Sequence, residues 1–138
     1  MMKHRMVDAG KLNKVVAEEL KKLPEIKPPA WILMVKTGSH AERVPQDEDY
    51  WFKRCAALLR TLSLNPGTVG VQRLRNKFGG RTSHIVSRSH HRKAGGKGIR
   101  LALQQLEKAG LVKKEKLGRT IAPAGRKLLD KSAKSILG

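Results

Sequence analysis

Arginine and lysine recur between Trp51 and Leu106, and not one aspartate or glutamate interrupts them. An ordinary solvated surface mixes both signs of charge, so a stretch this one-sided indicates a surface that binds phosphate groups. A simple solvated face is the alternative interpretation, and the complete absence of acids disfavours it. The cations of this stretch, which are the candidate nucleic-acid contacts, are Lys53, Arg54, Arg60, Arg73, Arg75, Lys77, Arg81, Arg88, Arg92, Lys93, Lys97 and Arg100.

Four polar residues, Lys97, Arg100, Gln104 and Lys108, fall on one face of a helix predicted over about residues 97–109. In a winged-helix protein this would be the recognition face, because arginine and glutamine side chains can read base edges. Taken alone, the pattern is equally typical of an exposed helix face, and its position after an acid-free loop favours binding. The face predicted to be buried carries Ile99, Leu103 and Leu106.

Residues that often perform catalysis or bind metal are present without the spacing that such sites need. His84, His90 and His91 lack the paired cysteines or helically spaced histidines of a zinc site, so phosphate or stacking contacts are the favoured roles. Cys55 lies on an apolar helix face, which predicts a small core residue. The glycines at 95–98 form no nucleotide-binding fingerprint. We therefore expect no metal, no cofactor and no catalytic residue.

The composition narrows the possible partners. Lysine and arginine number 30 against 11 acids in 138 residues, for a net charge of +19. Such a chain repels itself, so we expect a polyanionic partner. The longest apolar run is Ala30 to Val35, whereas a membrane-spanning helix needs roughly 20 residues, so we expect no membrane partner. No apolar segment follows the basic N-terminus as in a secretory signal, and one cysteine suits a reducing cytoplasm.

Apolar periodicity divides the chain into helices and one hairpin. Helices are predicted after Asp8 as N-cap, after three acids at 47–49, and over about 71–78 and 97–109. Gly110 follows as a helix-ending residue. Residues 111–121 are predicted to form a two-stranded hairpin with its turn at Leu117-Gly118. Pro123 suits the first turn of a last helix, predicted to bury Leu128, Leu129, Ala133 and Ile136.

This order of elements is that of a winged helix-turn-helix. The predicted fold class is all-α, mostly helical, with a small two-stranded β-hairpin wing. We expect one RNA-binding domain over residues 1–138, with an N-terminal helical extension over about 8–46. The basic loop over about 79–97 is far longer than the roughly 3–4 residues of a DNA-binding helix-turn-helix. A polar segment of this kind is expected to order against an RNA backbone.

Short segments in order through nearly the whole chain match those of a known family. They are Val35 to Gly38, Glu42 to Pro45, Asp49 to Phe52, Arg54, Arg60, Gly70 to Arg75, Phe78 to Arg81, Arg100 to Glu107, Ala109 to Val112, Gly118-Arg119 and Pro123 to Gly125. On these segments the chain resembles the small-subunit ribosomal protein nineteen family of the archaeal and eukaryotic type. The resemblance implies a mostly helical winged-helix fold, binding to small-subunit ribosomal RNA in the head region, and a role in subunit maturation. It also implies RNA contacts at Arg54, Arg60 and Arg100, with Arg81 and Lys36 as weaker candidates.

The functional hypothesis is a structural, non-catalytic constituent of the small ribosomal subunit. Its expected partners are small-subunit ribosomal RNA and neighbouring small-subunit proteins, with a cytoplasmic, ribosomal location and a monomeric state when free. Two alternatives remain open at this stage. One is a winged-helix DNA-binding transcriptional regulator, and the other is a ribosome assembly factor that leaves the mature particle.

Overall fold

Five helices and four short strands make up the part of the chain that the computed structural model describes, residues 7–29, 50–65, 67–82, 90–92 and 96–137. The predicted fold class, mostly helical with a hairpin wing, is confirmed. The elements are α1 (Ala9–Lys21), α2 (Tyr50–Leu64), α3 (Val71–Phe78), β1 (Gly80–Thr82), β2 (His90–Arg92), α4 (Gly96–Lys108), β3 (Val112–Glu115), β4 (Gly118–Ile121) and α5 (Pro123–Leu137).

Helix α1 begins where the sequence predicts. The carboxylate of Asp8 accepts a hydrogen bond from the backbone N–H of Lys11 at 3.2 Å, so Asp8 is its N-cap. Leu12, Val16 and Leu20 recur at helical spacing and are fully buried. They pack against α2 and α5, which makes α1 part of the main core.

Helix α2 lies at the centre of the core. Its predicted apolar stripe, which includes Trp51, Cys55 and Leu59, is buried. Thr61 and Ser63 are buried as well, because α1, α4, α5 and β4 all pack around this helix. The Thr61 hydroxyl donates to the Ala57 carbonyl, and the Ser63 hydroxyl donates to the Arg60 carbonyl, so burial leaves both hydroxyls hydrogen-bonded.

Gln105, on α4, joins three parts of the fold through its side-chain amide. Its Oε1 accepts from the Trp51 indole N–H at 2.8 Å and from the Lys27 backbone N–H at 3.1 Å. Its Nε2 donates to the Lys27 carbonyl at 2.8 Å. These bonds fix the segment after α1 against α2 and α4, and Ile26 in that segment is buried.

Gly110 ends α4 as predicted, with φ of 81°. Its N–H bonds the Glu107 carbonyl, and the N–H of Leu111 bonds the Leu106 carbonyl, both at 3.0 Å. This pair of bonds is the Schellman arrangement, which requires a left-handed residue and therefore favours glycine.

Strands β3 and β4 pair in antiparallel register and form the wing. The register runs from Val112 opposite Ile121 to Glu115 opposite Gly118, which leaves Lys116 and Leu117 as the turn. The prediction that Gly118 lies in the turn was wrong, because Gly118 begins β4. A side chain there would meet the Val69 carbonyl oxygen at 2.6 Å, so close packing against the segment before α3 requires glycine.

The wing is attached to the core through Arg119. Its backbone exchanges two hydrogen bonds with Val69, at 2.9 and 3.0 Å, which form an isolated antiparallel bridge beside β4. Its side chain forms an ion pair with Glu107 on α4. The sequence analysis identified neither contact.

Helix α5 begins at Pro123, as predicted, and packs on α1 and α2. Leu129 and Ala133 are fully buried, whereas Leu128 and Ile136 are half-buried against the core. Their predicted burial is therefore confirmed in part. Gly125 is also buried on this helix, and the sequence pattern did not predict its burial.

The connection from α3 to α4 contains a strand pair. Gly80 to Thr82 pair in antiparallel register with His90 to Arg92, with Arg81 opposite His91. The prediction of an irregular basic loop over 79–97 was therefore wrong for these residues. Residues 83–89 and 93–95 lie outside the described part of the chain. So does the predicted apolar segment at 31–35.

In the described part of the chain, every helix is too short or too polar to cross a lipid bilayer.

Candidate nucleic-acid interface

Helices α3 and α4 pack against each other and carry most of the exposed candidate residues. On α3, Arg73 and Lys77 are exposed, and the buried Leu74 anchors the opposite face. On α4, the predicted polar face is confirmed as an exposed surface. Its residues are Lys97, Arg100, Gln104 and Lys108, and the buried face carries Ile99, Ala102, Leu103 and Leu106.

Arg54 links α2 to the end of α3. Its guanidinium lies over the Phe78 ring, 4.5 Å from the ring centroid, and 5.4 Å from the centroid of the Tyr50 ring. Its Nε also donates to the Tyr50 hydroxyl at 3.2 Å. These contacts hold a half-buried cation in one place, so Arg54 has a packing role in addition to the predicted RNA-binding role.

Arg75 links α3 to the start of α4. A side chain on Gly96 would lie 3.2 Å from Cδ and 3.5 Å from Nε of Arg75, so the arginine crosses the backbone of the first residue of α4. Arg54 and Arg75 therefore place positive charge at two junctions, between α2 and α3 and between α3 and α4.

Lys53 and Arg60 are half-buried on α2. The sequence placed them opposite the apolar stripe, and the packing of neighbouring elements around α2 covers part of that face. The Arg60 Nε is buried and has no hydrogen-bond acceptor among the described residues. A buried guanidinium N–H without an acceptor is unfavourable for stability.

Five predicted site residues cannot be assigned a side-chain position. Lys36, Arg88 and Lys93 lie outside the described residues. Arg81 and Arg92 lie on the paired strands β1 and β2, where the backbone is described.

The charge of the surface formed by α2, α3 and α4 follows from the sequence of these helices. No carboxylate occurs from Trp51 to Leu106, so none of the elements α2, α3 and the first part of α4 contributes a negative side chain. The next acid along the chain, Glu107, is paired with Arg119 on the wing. We name the exposed residues Arg73, Lys77, Lys97, Arg100 and Gln104, together with the anchored Arg54 and Arg75, the basic surface.

Chemically reactive groups are few in the described part of the chain. Burial raises the pKa of the Cys55 thiol from 9.0 to about 12, and the nearby positive charge of Arg54 only partly opposes this shift. The thiol is therefore protonated and enclosed, as a core residue should be. The described residues also contain no group of three histidine, cysteine or acidic side chains that could hold a metal ion.

The sequence analysis missed the residues that fix the geometry around the basic surface. Gln105 and Arg119 look like ordinary polar residues on a helix and a strand, and no local pattern marks their long-range partners. The wing lysines Lys113, Lys114 and Lys116, all exposed, were available as a charge signal but lay beyond the acid-free stretch.

Comparison with known proteins identifies the family of the chain. The profile of the family described as Ribosomal protein S19e matches residues 3–138. A protein named small ribosomal subunit protein eS19 from Aeropyrum pernix is 49% identical over 133 residues, covering 95% of this chain and 87% of its own. The protein of that name from Thermoplasma volcanium is 36% identical, covering 99% and 91%. Small ribosomal subunit protein eS19A from Schizosaccharomyces pombe is 39% identical, covering 95% and 91%. The chain therefore belongs to the ribosomal protein S19e family.

Proposed function

We propose that this protein is a structural constituent of the small ribosomal subunit. In this role it binds small-subunit ribosomal RNA in the head region, supports maturation of the subunit and catalyses no reaction. Its partners are this RNA and neighbouring small-subunit proteins, and its location is the cytoplasmic ribosome. The proposal also includes a monomeric state when free and a single domain over residues 1–138, which the packing of α1 on α2 and α5 supports.

The observation that carries the proposal is the basic surface, because it presents cations from three helices and no carboxylate occurs between Trp51 and Leu106. RNA helices are recognised largely through phosphate and ribose contacts and through shape. A surface fixed by a packed helical core suits this recognition, since its charges are already held in place before the RNA binds.

The residues of the basic surface take different roles in the proposal. Arg73, Lys77 and Arg100 are exposed and bind phosphates directly, and Gln104 contacts a base edge or ribose. Arg54 and Arg75 bind RNA at the helix junctions while also holding those junctions together. Further phosphate contacts are assigned to Lys36, Lys53, Arg60, Arg81, Arg88, Arg92, Lys93 and Lys97.

The resident role is tested by sedimentation of the tagged protein from a cell lysate at roughly 0.5 M salt, where weak polycation binding is screened. We expect it to travel in stoichiometric amount with mature small subunits. Sedimentation with precursor particles alone would instead identify an assembly factor, and protein remaining at the top of the gradient would contradict both roles.

A further inference from the structure

We infer that the tip of the wing, residues 113–117, is a second RNA contact, in which Leu117 packs against an unpaired nucleobase or its ribose. The lysines beside it, Lys113, Lys114 and Lys116, contact the flanking phosphates. This inference rests on the proposed RNA-binding role and adds to it a site outside the basic surface.

The exposure of Leu117 is the first observation behind this inference. Its side chain is 81% exposed, while the apolar residues at the base of the same hairpin, Val112 and Ile121, are buried. An apolar side chain of this size gains free energy when it leaves water, so its place at the end of a projecting turn favours contact with another molecule. Leu137 is also exposed, at 55%, but it lies in the last turn of α5.

Contacts with the core hold the backbone next to this side chain in a defined place. The Val69–Arg119 backbone pair, the Arg119–Glu107 ion pair and the close approach of Gly118 to Val69 all lie within two residues of Leu117. A group on a rigid element loses little conformational entropy on binding, so its contact contributes most of its interaction free energy to affinity.

The charge of the wing tip identifies the partner. Lys113, Lys114 and Lys116 are exposed, and Glu115 is the one acid among residues 113–117. Lysine is depleted in the contact regions of protein–protein interfaces. Some DNA-binding proteins insert leucine and similar apolar side chains between base steps, so an apolar side chain flanked by cations favours a nucleic acid as the partner.

The wing tip also adjoins the basic surface. A side chain on Gly70, which precedes α3, would lie 3.8 Å from the Leu117 carbonyl oxygen. Arg73 follows in the first turn of α3 and is exposed. One RNA segment that contacts the start of α3 can therefore continue onto the wing tip.

The test measures binding of the full chain to transcribed small-subunit ribosomal RNA across a salt series. Leu117→Ser removes an apolar contact and no charge. It should weaken binding about fivefold, equivalent to about 1 kcal/mol, and leave the salt dependence unchanged. Leu117→Met should retain wild-type affinity. Leu137→Ser is the matched control, because it makes the same change at the other large apolar side chain that is exposed among the described residues, and it should have no effect.

A second pair of variants tests the lysines. Lys113→Gln with Lys116→Gln should make the slope of log K against log salt shallower by about 1.4–1.8, the value for two phosphate contacts. The matched control, Lys127→Gln with Lys134→Gln on α5, removes the same charge and should change the slope less. Circular dichroism should show unchanged helicity in every variant.

The outcomes separate the two proposals. If the wild-type protein shows no salt-dependent RNA binding, the proposed function itself fails. If the wild type binds but Leu117→Ser behaves like Leu137→Ser, the wing inference fails alone. If Leu117→Ser binds isolated RNA normally and is impaired only in joining small subunits, its partner is a protein, and the inference is again overturned.

Discussion

Replacing Gln105 by alanine should destabilise the fold, because this side chain holds three backbone and side-chain groups together. The two bonds to Lys27 are exposed, so water replaces them in part, and their loss costs about 0.5 kcal/mol each. Loss of the third bond removes the acceptor of the Trp51 indole N–H. Because Trp51 is only 1% exposed, water cannot replace that acceptor, and the cost is about 1–2 kcal/mol. We therefore expect Gln105→Ala to lower the free energy of unfolding by about 2–3 kcal/mol.

The neighbouring residue provides the control. Gln104 precedes Gln105 on α4, about 100° around the helix, and is exposed, so Gln104→Ala should change the free energy of unfolding by less than about 0.5 kcal/mol. Urea denaturation followed by tryptophan fluorescence and circular dichroism measures both variants. RNA affinity should show the reverse pattern. Gln104→Ala should weaken RNA binding, whereas Gln105→Ala should leave it unchanged at temperatures where the protein is folded. Equal stability of the two variants would refute the reasoning.

Two further predictions concern the core. Because the pKa of Cys55 is raised from 9.0 to about 12, the folded state favours the protonated thiol, and the stability that this contributes is present below pH 9 and lost as pH rises toward 12. The difference in free energy of unfolding between wild type and Cys55→Ala should therefore narrow over that range, and iodoacetamide should modify Cys55 at pH 8 only after unfolding. Gly125→Ala should lower the free energy of unfolding by about 1–3 kcal/mol, since its Cβ would lie 2.5 Å from the Leu111 carbonyl oxygen. A thermal melt like that of the wild type would contradict this.

The helices were predictable because their signals are local. Asp8 as N-cap, Gly110 as the helix-ending glycine and Pro123 as the first residue of α5 each act within a few residues of their own position. Apolar residues at helical spacing identify the buried faces of α1, α2 and α4 for the same reason. The resulting order of elements was sufficient to predict the winged-helix class.

Features that depend on distant partners were not predictable. The β1–β2 pair joins residues separated by a long connection, and neither Arg81 nor His91 is typical of a strand. Val69 pairs with Arg119 across a sequence separation that no periodicity reveals. Gly125 is glycine because the Leu111 carbonyl approaches it, which only the folded arrangement shows.

The candidate site was predictable in composition and less so in geometry. The acid-free stretch identified cations that the structure places on α2, α3 and α4, and the exposed face of α4 follows from helical spacing. The packing of Arg54 on Phe78 and of Arg75 on Gly96 did not follow, because it depends on how the three helices meet.

The salt dependence of RNA binding tests most directly whether the basic surface is the RNA-binding site. Eight engaged cations would give a slope on the order of −7 for duplex-like RNA. Replacing Arg73, Lys77 and Arg100 together by glutamine should make the slope shallower by about 3. Replacing Lys11 and Lys14 on α1 together with Lys22 at its C-cap, which removes the same charge, should change the slope little. A wild-type slope near −2, or equal effects of the two triple variants, would contradict the account.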